Sequence, residues 1–109
     1  MCIRDRLYTD YILATLIKEL KKLENYNSSM LFVSDHGESL GEKNLYMHGL
    51  PVSIAPKEQL DIPFIIWNSK QIKELKDNEL LSQHHVFHSI LDFLAIDSSI
   101  YIEDLSIYK

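Results

Sequence analysis

Two short, uninterrupted apolar runs, Met30-Leu31-Phe32-Val33 and Ile62-Pro63-Phe64-Ile65-Ile66-Trp67, constrain this chain more than any other feature. Apolar runs of this length without polar alternation read as strands covered on both faces, the way strands of a mainly parallel sheet are buried. Pro63 stands at the start of its run, where a missing amide donor is tolerated. Over residues 7–24, Leu13, Leu16, Ile17, Leu20 and Leu23 recur at helical spacing, with Asp10 near the start and Lys18, Lys21 and Lys22 near the end, matching the helix dipole. The polar residues 25–29 stop that helix. Residues 70–81 form a polar connection with helical character. Ser82 is then placed to cap a helix whose Phe87, Ile90, Leu91 and Leu94 share one face. Residues 97–109 are mixed, with a short strand or turn expected at 100–102. Helix, strand, long loop, strand, helix is an α/β order, but two or three strands are too few for a stable doubly wound sheet. The chain reads as part of a domain.

Composition narrows the function classes. Its 109 residues, 46% hydrophobic and 25% charged, suit a packed soluble domain, and eleven basic against sixteen acidic residues give a formal charge of −5. That balance argues against nucleic acid as a partner. No apolar run approaches the roughly 18 residues of a membrane span, and no signal-peptide core opens the chain. Cys2 has no second cysteine to pair with. Residues 1–6, Met1-Cys2-Ile3-Arg4-Asp5-Arg6, share no periodicity with residues 7–24 and are set apart as a non-native segment, leaving 7–109 as the domain piece.

Chemistry concentrates after the first strand, in Ser34-Asp35-His36-Gly37-Glu38, and the carboxyl ends of strands are where open α/β sheets place their crevices. Neighbouring side chains on a strand point to opposite faces, so Asp35 and His36 meet one ion only if the extended chain breaks there; Gly37 permits the break. A carboxylate with an imidazole suits zinc or manganese better than calcium. The same pair is also what a capped turn with a hydrogen-bonded histidine looks like, and both readings stand on these residues alone. The stretch 37–61 adds weight to the first. It is long and non-periodic, holds Gly41, Gly49, Pro51 and Pro56, and carries His48, a second imidazole able to fold back to the crevice.

The strings Val33-Ser34-Asp35-His36-Gly37-Glu38-Ser39-Leu40-Gly41-Glu42, Tyr46-Met47-His48-Gly49, Ala55-Pro56-Lys57-Glu58-Gln59 and Ile62-Pro63 resemble the catalytic domain of lipid A phosphoethanolamine transferases, a sulfatase-like branch of the alkaline phosphatase superfamily. The likeness covers about residues 7–101. It implies a partial alkaline phosphatase/sulfatase-like α/β domain, its mainly parallel sheet flanked by helices. It also implies that Asp35 and His36 are ligands of a catalytic Zn2+. His48 is then a catalytic residue that binds the substrate phosphate or a second zinc, and Glu38 orients the ligands or touches substrate or a second metal. Glu42 and Lys57 are read as loop structure and surface charge. The implied reaction moves phosphoethanolamine from phosphatidylethanolamine to a threonine and then to lipid A or a core sugar. The implied setting is the inner membrane of a Gram-negative bacterium, with the catalytic domain in the periplasm and the membrane part upstream. A sulfatase or phosphodiesterase with water as acceptor is the rival enzyme, and a catalytically inert fragment the rival outside enzymes. The threonine nucleophile and remaining ligands are expected upstream, since Thr9 and Thr15 both fall in the first helix.

His84 and His88 lie one helical turn apart, a spacing compatible with metal, but no carboxylate or cysteine accompanies them and they are read as ordinary helix-start residues. The family pattern at this helix start is Ser-His-Asp-Asn, from which Ser82-Gln83-His84-His85 departs. Phe87-His88 matches and is read as packing near the site. Trp67 is read as a packing residue.

Overall fold

A computed structural model describes residues 2–70, 73–77 and 80–109. The order of elements is α1 (Cys2–Leu20), β1 (Ser29–Val33), β2 (Ser39–Leu40), β3 (Tyr46–Met47), α2 (Lys57–Leu60), β4 (Phe64–Asn68) and α3 (Gln83–Phe93). The chain divides into two compact units, one up to Lys70 and one from Gln71.

In the first unit both apolar runs form strands, but they pair with each other antiparallel, with Leu31 opposite Ile66 and Val33 opposite Phe64. Among the described residues every named strand pair is antiparallel, so the mainly parallel arrangement is not what these two strands make. The reason lies in the connection. A parallel pair needs a crossover to the opposite end of the sheet, usually by a full helix. Here the connection contains only the four-residue α2 and returns to the end it left, where the Ser34 amide donates to the Pro63 carbonyl at 3.3 Å. A continuous apolar run reports burial and not strand direction. Leu31 and Ile65, 39% and 40% exposed, lie on opposite faces of the pair, Leu31 beside Ile66 and Ile65 beside Phe32, so each face is partly open within the chain.

α1 spans Cys2–Leu20 rather than residues 7–24, because Arg4, Asp5 and Arg6 contain no helix breaker and Thr9 Oγ1 donates back to the Asp5 carbonyl at 3.2 Å. Its stripe is narrower than its periodicity predicts: Leu13, Ile17 and Leu20 are half-buried while Leu16 and Leu23 are exposed. No helix among the described residues is long and apolar enough to cross a membrane. The excursion 37–61 is not structureless, since it folds a two-residue hairpin, β2 with β3, ahead of α2.

In the second unit, Ser82 caps α3 as expected, its amide donating to His85 Nδ1 at 3.0 Å. The predicted apolar face is the outer one. Phe87, Ile90 and Leu94 are exposed, while His88 and Ser89 are buried against the C-terminal tail. Polar bonds turn the helix this way: Ile102 N–H donates to His88 Nδ1 at 3.1 Å, and Ile107 N–H to Ser89 Oγ at 3.1 Å. Asp92 completes the seam, accepting from Ser106 Oγ at 2.5 Å, from Tyr101 and from Lys73. Ile107 and Tyr108 are the buried apolar residues they enclose, 4% exposed each. The described part of 70–81 is not helical, and Leu75 bridges Tyr108 instead; Gln71, Ile72, Asn78 and Glu79 lie outside the described residues. Residues 103–105 form a single 3-10 turn where a strand or turn was expected slightly earlier.

Candidate active site

The antiparallel return of β4 brings both ends of the 34–63 excursion to the carboxyl end of β1, and the excursion folds over that end. β1 stops at Val33 because the next residues turn: Ser34 Oγ donates to the His36 carbonyl at 2.7 Å, and the His36 amide donates to Asp35 Oδ1 at 3.1 Å. The break required between Asp35 and His36 is therefore present. Gly37 follows where nothing larger fits, since a Cβ would stand 2.0 Å from the Glu58 carbonyl oxygen.

Two imidazoles meet at this turn. The His36 and His48 rings stack, centroids 3.7 Å apart and planes 24° from parallel. His36 Nδ1 lies 2.8 Å from the Gly37 carbonyl and His48 Nδ1 lies 2.9 Å from Glu38 Oε2. Both partners are acceptors, so each Nδ1–H donates, and in the neutral ring this leaves the Nε2 lone pair free. That is the tautomer a metal-binding or phosphate-facing histidine needs, and a carboxylate behind a histidine is the usual way of fixing it. His36, Glu38 and His48 each offer a donor atom, all within 4.8 Å of one another. Asp35 Oδ1 stands 3.8 Å from His36 Nε2, beyond hydrogen-bonding distance. Two ligands about 2 Å from a zinc ion in a tetrahedral shell lie about 3.3 Å apart, so the Asp35–His36 spacing fits with a small adjustment. The nitrogen and oxygen donor set also suits that metal.

The four residues singled out from the sequence thus stand together at one end of β1, with Glu38 tied directly to His48. Glu42 serves the hairpin: its own amide and that of Leu40, which donates to Oε2 at 2.7 Å, hold its carboxyl below the usual range. Lys57 pairs with Asp61 across α2 at 3.2 Å on the surface. Thr9 and Thr15 both bond back to helix carbonyls of α1, consistent with a structural place for each. His88 packs against Phe87 and Tyr101 in the second unit.

Gln59 is a residue the sequence reading did not single out. It is 6% exposed, its Nε2 donates to Ser39 Oγ at 2.9 Å, and its Oε1 accepts from the Leu50 amide at 3.4 Å. An isolated amide carries no periodic or ligand signal. The sequence marked it only as the last residue of the family-like string Ala55-Pro56-Lys57-Glu58-Gln59, with no role attached.

Comparison with known proteins agrees with this architecture. The sulfatase family model matches residues 3–96. The chain is 43% identical over 88 residues to phosphoethanolamine transferase EptA of Helicobacter pylori, covering 77% of this chain and 17% of that protein. The C-terminal periplasmic domain of phosphoethanolamine transferase EptC from Campylobacter jejuni superposes with a TM-score of 0.78 at 38% identity, covering 93% of this chain and 34% of that one. The integral membrane protein lipooligosaccharide phosphoethanolamine transferase A from Neisseria meningitidis superposes with a TM-score of 0.82 at 33% identity, covering 94% of this chain and 21% of its own. The chain therefore spans about a fifth of the length of its full-length relatives. With a partial α/β domain of matching fold, a histidine pair gathered at the end of its first strand and a family match over most of its length, the chain belongs to the sulfatase family and is similar, within it, to the phosphoethanolamine transferases.

Proposed function

We propose that these residues form part of the catalytic domain of a zinc-dependent phosphoethanolamine transferase, acting between phosphatidylethanolamine and lipid A or a core sugar. The reading is carried by the stacked His36–His48 pair with Glu38 behind it. The names of the similar proteins give the group transferred. In this reading Asp35 and His36 hold the zinc, with further ligands and the threonine nucleophile supplied from outside these residues. When bound, zinc neutralises phosphate oxygens and lowers the pKa of a coordinated hydroxyl.

The chain's own residues do the rest of the positioning. His36 presents Nε2 because its Nδ1–H is fixed on the Gly37 carbonyl. His48, fixed on Glu38, presents its Nε2 to the substrate phosphate and can carry a proton between solvent and the leaving oxygen. Glu38, 2.9 Å from His48 Nδ1, fixes the orientation of that ring. Transfer of this kind proceeds mainly by positioning and charge neutralisation. We place the domain in the periplasm, held to the inner membrane through a segment beyond these residues. The placement rests on the likeness to a periplasmic domain and to an integral membrane protein.

Calorimetric titration of the metal-stripped full-length protein with zinc should show binding that is strongly weakened in both His36→Ala and Asp35→Ala. No heat of binding in the unsubstituted full-length protein would refute the metal reading. The full-length protein, given phosphatidylethanolamine and lipid A, should yield modified lipid A; release of free ethanolamine phosphate alone would instead make it a hydrolase.

A further inference from the structure

The excursion that carries the site is tied at three points to one side of α2, and all three meet Gln59. The Gly37 amide donates to its backbone carbonyl at 3.0 Å, its Nε2 donates to Ser39 Oγ, and its Oε1 accepts from the Leu50 amide. Gly37 directly follows His36, Ser39 directly follows Glu38, and Leu50 is two residues past His48. We infer that Gln59 is the positioning residue that sets the spacing of the His36, Glu38 and His48 side chains, an inference that rests on the metal- and phosphate-binding reading above.

The local structure explains why such a tie is needed. The β2–β3 hairpin between the two histidines pairs only two residues on each strand, and a hairpin that short does not hold its own geometry in water. The stacked rings are themselves partly exposed, with side-chain accessibilities of 42% for His36 and 45% for His48, so burial does not lock them. Gln59 and Ser39, by contrast, are 6% and 2% exposed. A buried, satisfied amide is directional, and fixes relative position in a way an apolar residue of equal volume does not. Gln59 touches neither imidazole, so it acts through the backbone that carries them.

The test separates this role from simple loss of stability. In the metal-free chain, proton NMR should show cross-peaks between the His36 and His48 rings. Gln59→Met keeps the volume and removes both side-chain bonds; it should erase those cross-peaks and weaken zinc binding about tenfold or more. Ser69→Ala removes another bond of the same unit, the Ser28 amide to Ser69 Oγ at 2.9 Å. It should lower the melting temperature and leave both readouts unchanged. Where Gln59→Met does not fold, Ser39→Ala decides, because it breaks only the Nε2 bond and should weaken both readouts about threefold. Unchanged cross-peaks and zinc affinity in the folded variant would overturn the inference. Ring cross-peaks without zinc affinity in the unsubstituted chain leave the ring comparison to decide the role of Gln59, while zinc binding by the full-length protein decides the metal reading.

Discussion

Gly37→Ala should unfold the site and lower the stability of the first unit by about 3 kcal/mol, as overpacking against rigid neighbours and loss of one hydrogen bond together cost. The added methyl would stand 2.0 Å from the Glu58 carbonyl oxygen and 3.0 Å from the Gln59 carbonyl carbon, all backbone, with no flexible side-chain end to yield. The turn would have to withdraw from α2, breaking the Gly37 amide bond to Gln59 and carrying His36 away from His48. Zinc binding should vanish with it. Gly49→Ala is the informative comparison: a Cβ there meets nothing within 4 Å, so only its φ of +88° opposes the change, at a cost of about 1 kcal/mol. Urea unfolding followed by the fluorescence of Trp67, the single tryptophan, reports on this unit. Equal stability of Gly37→Ala and the parent chain would mean that the turn does not pack on α2 as described.

Asp92→Ala should cost the second unit about 3 kcal/mol, because it strands several donors at once. Lys73, Ser106 and Tyr101 all donate to this carboxylate, which is 17% exposed, and removing one member of a largely buried ionic network leaves the others uncompensated. The Lys73 hydrogen bond, with that of Ser106 behind it, holds the Asp92 carboxyl below its ordinary value against the opposing effect of burial. A carboxyl depressed in the folded state contributes stability that is present above its unfolded pKa, about 3.9, and is lost as pH falls through the folded value. The chain should therefore weaken below about pH 4, and Asp92→Asn should flatten that acid limb. At the alkaline end the sign reverses. Burial, with Asp92 adding to it, raises Tyr101 and Tyr108, so their contribution is whole below the unfolded pKa near 10 and drains away above it. Near-ultraviolet circular dichroism of the tyrosines across pH checks both limbs.

Which parts of this arrangement were readable in the sequence depends on the range of the forces involved. Strand positions were legible to within a residue or two, because a continuous apolar run reports local burial; the antiparallel pairing was not, because direction is decided by the route of the 34–63 excursion. The start of α3 was legible through Ser82, whereas its inner face was not. Ser89 and Asp92 turn inward on bonds to residues 101–107, which no helical periodicity encodes. At the site, Asp35, His36, Glu38 and His48 form a compact string with chemical meaning, and the fold brings them to one end of β1. Gln59 in the first unit and Asp92 in the second act through partners between nine and twenty-two residues away, which no local pattern encodes.

Among the described residues, β1 and β4 each hydrogen-bond a neighbour on one side only. The remaining rows of amides and carbonyls, flanked by half-exposed Leu31 and Ile65, form a template on which a strand from another molecule can add. Concentrated solutions of this chain by itself should accordingly grow multimers through backbone pairing, and a peptide that pairs with either free edge should keep it monomeric.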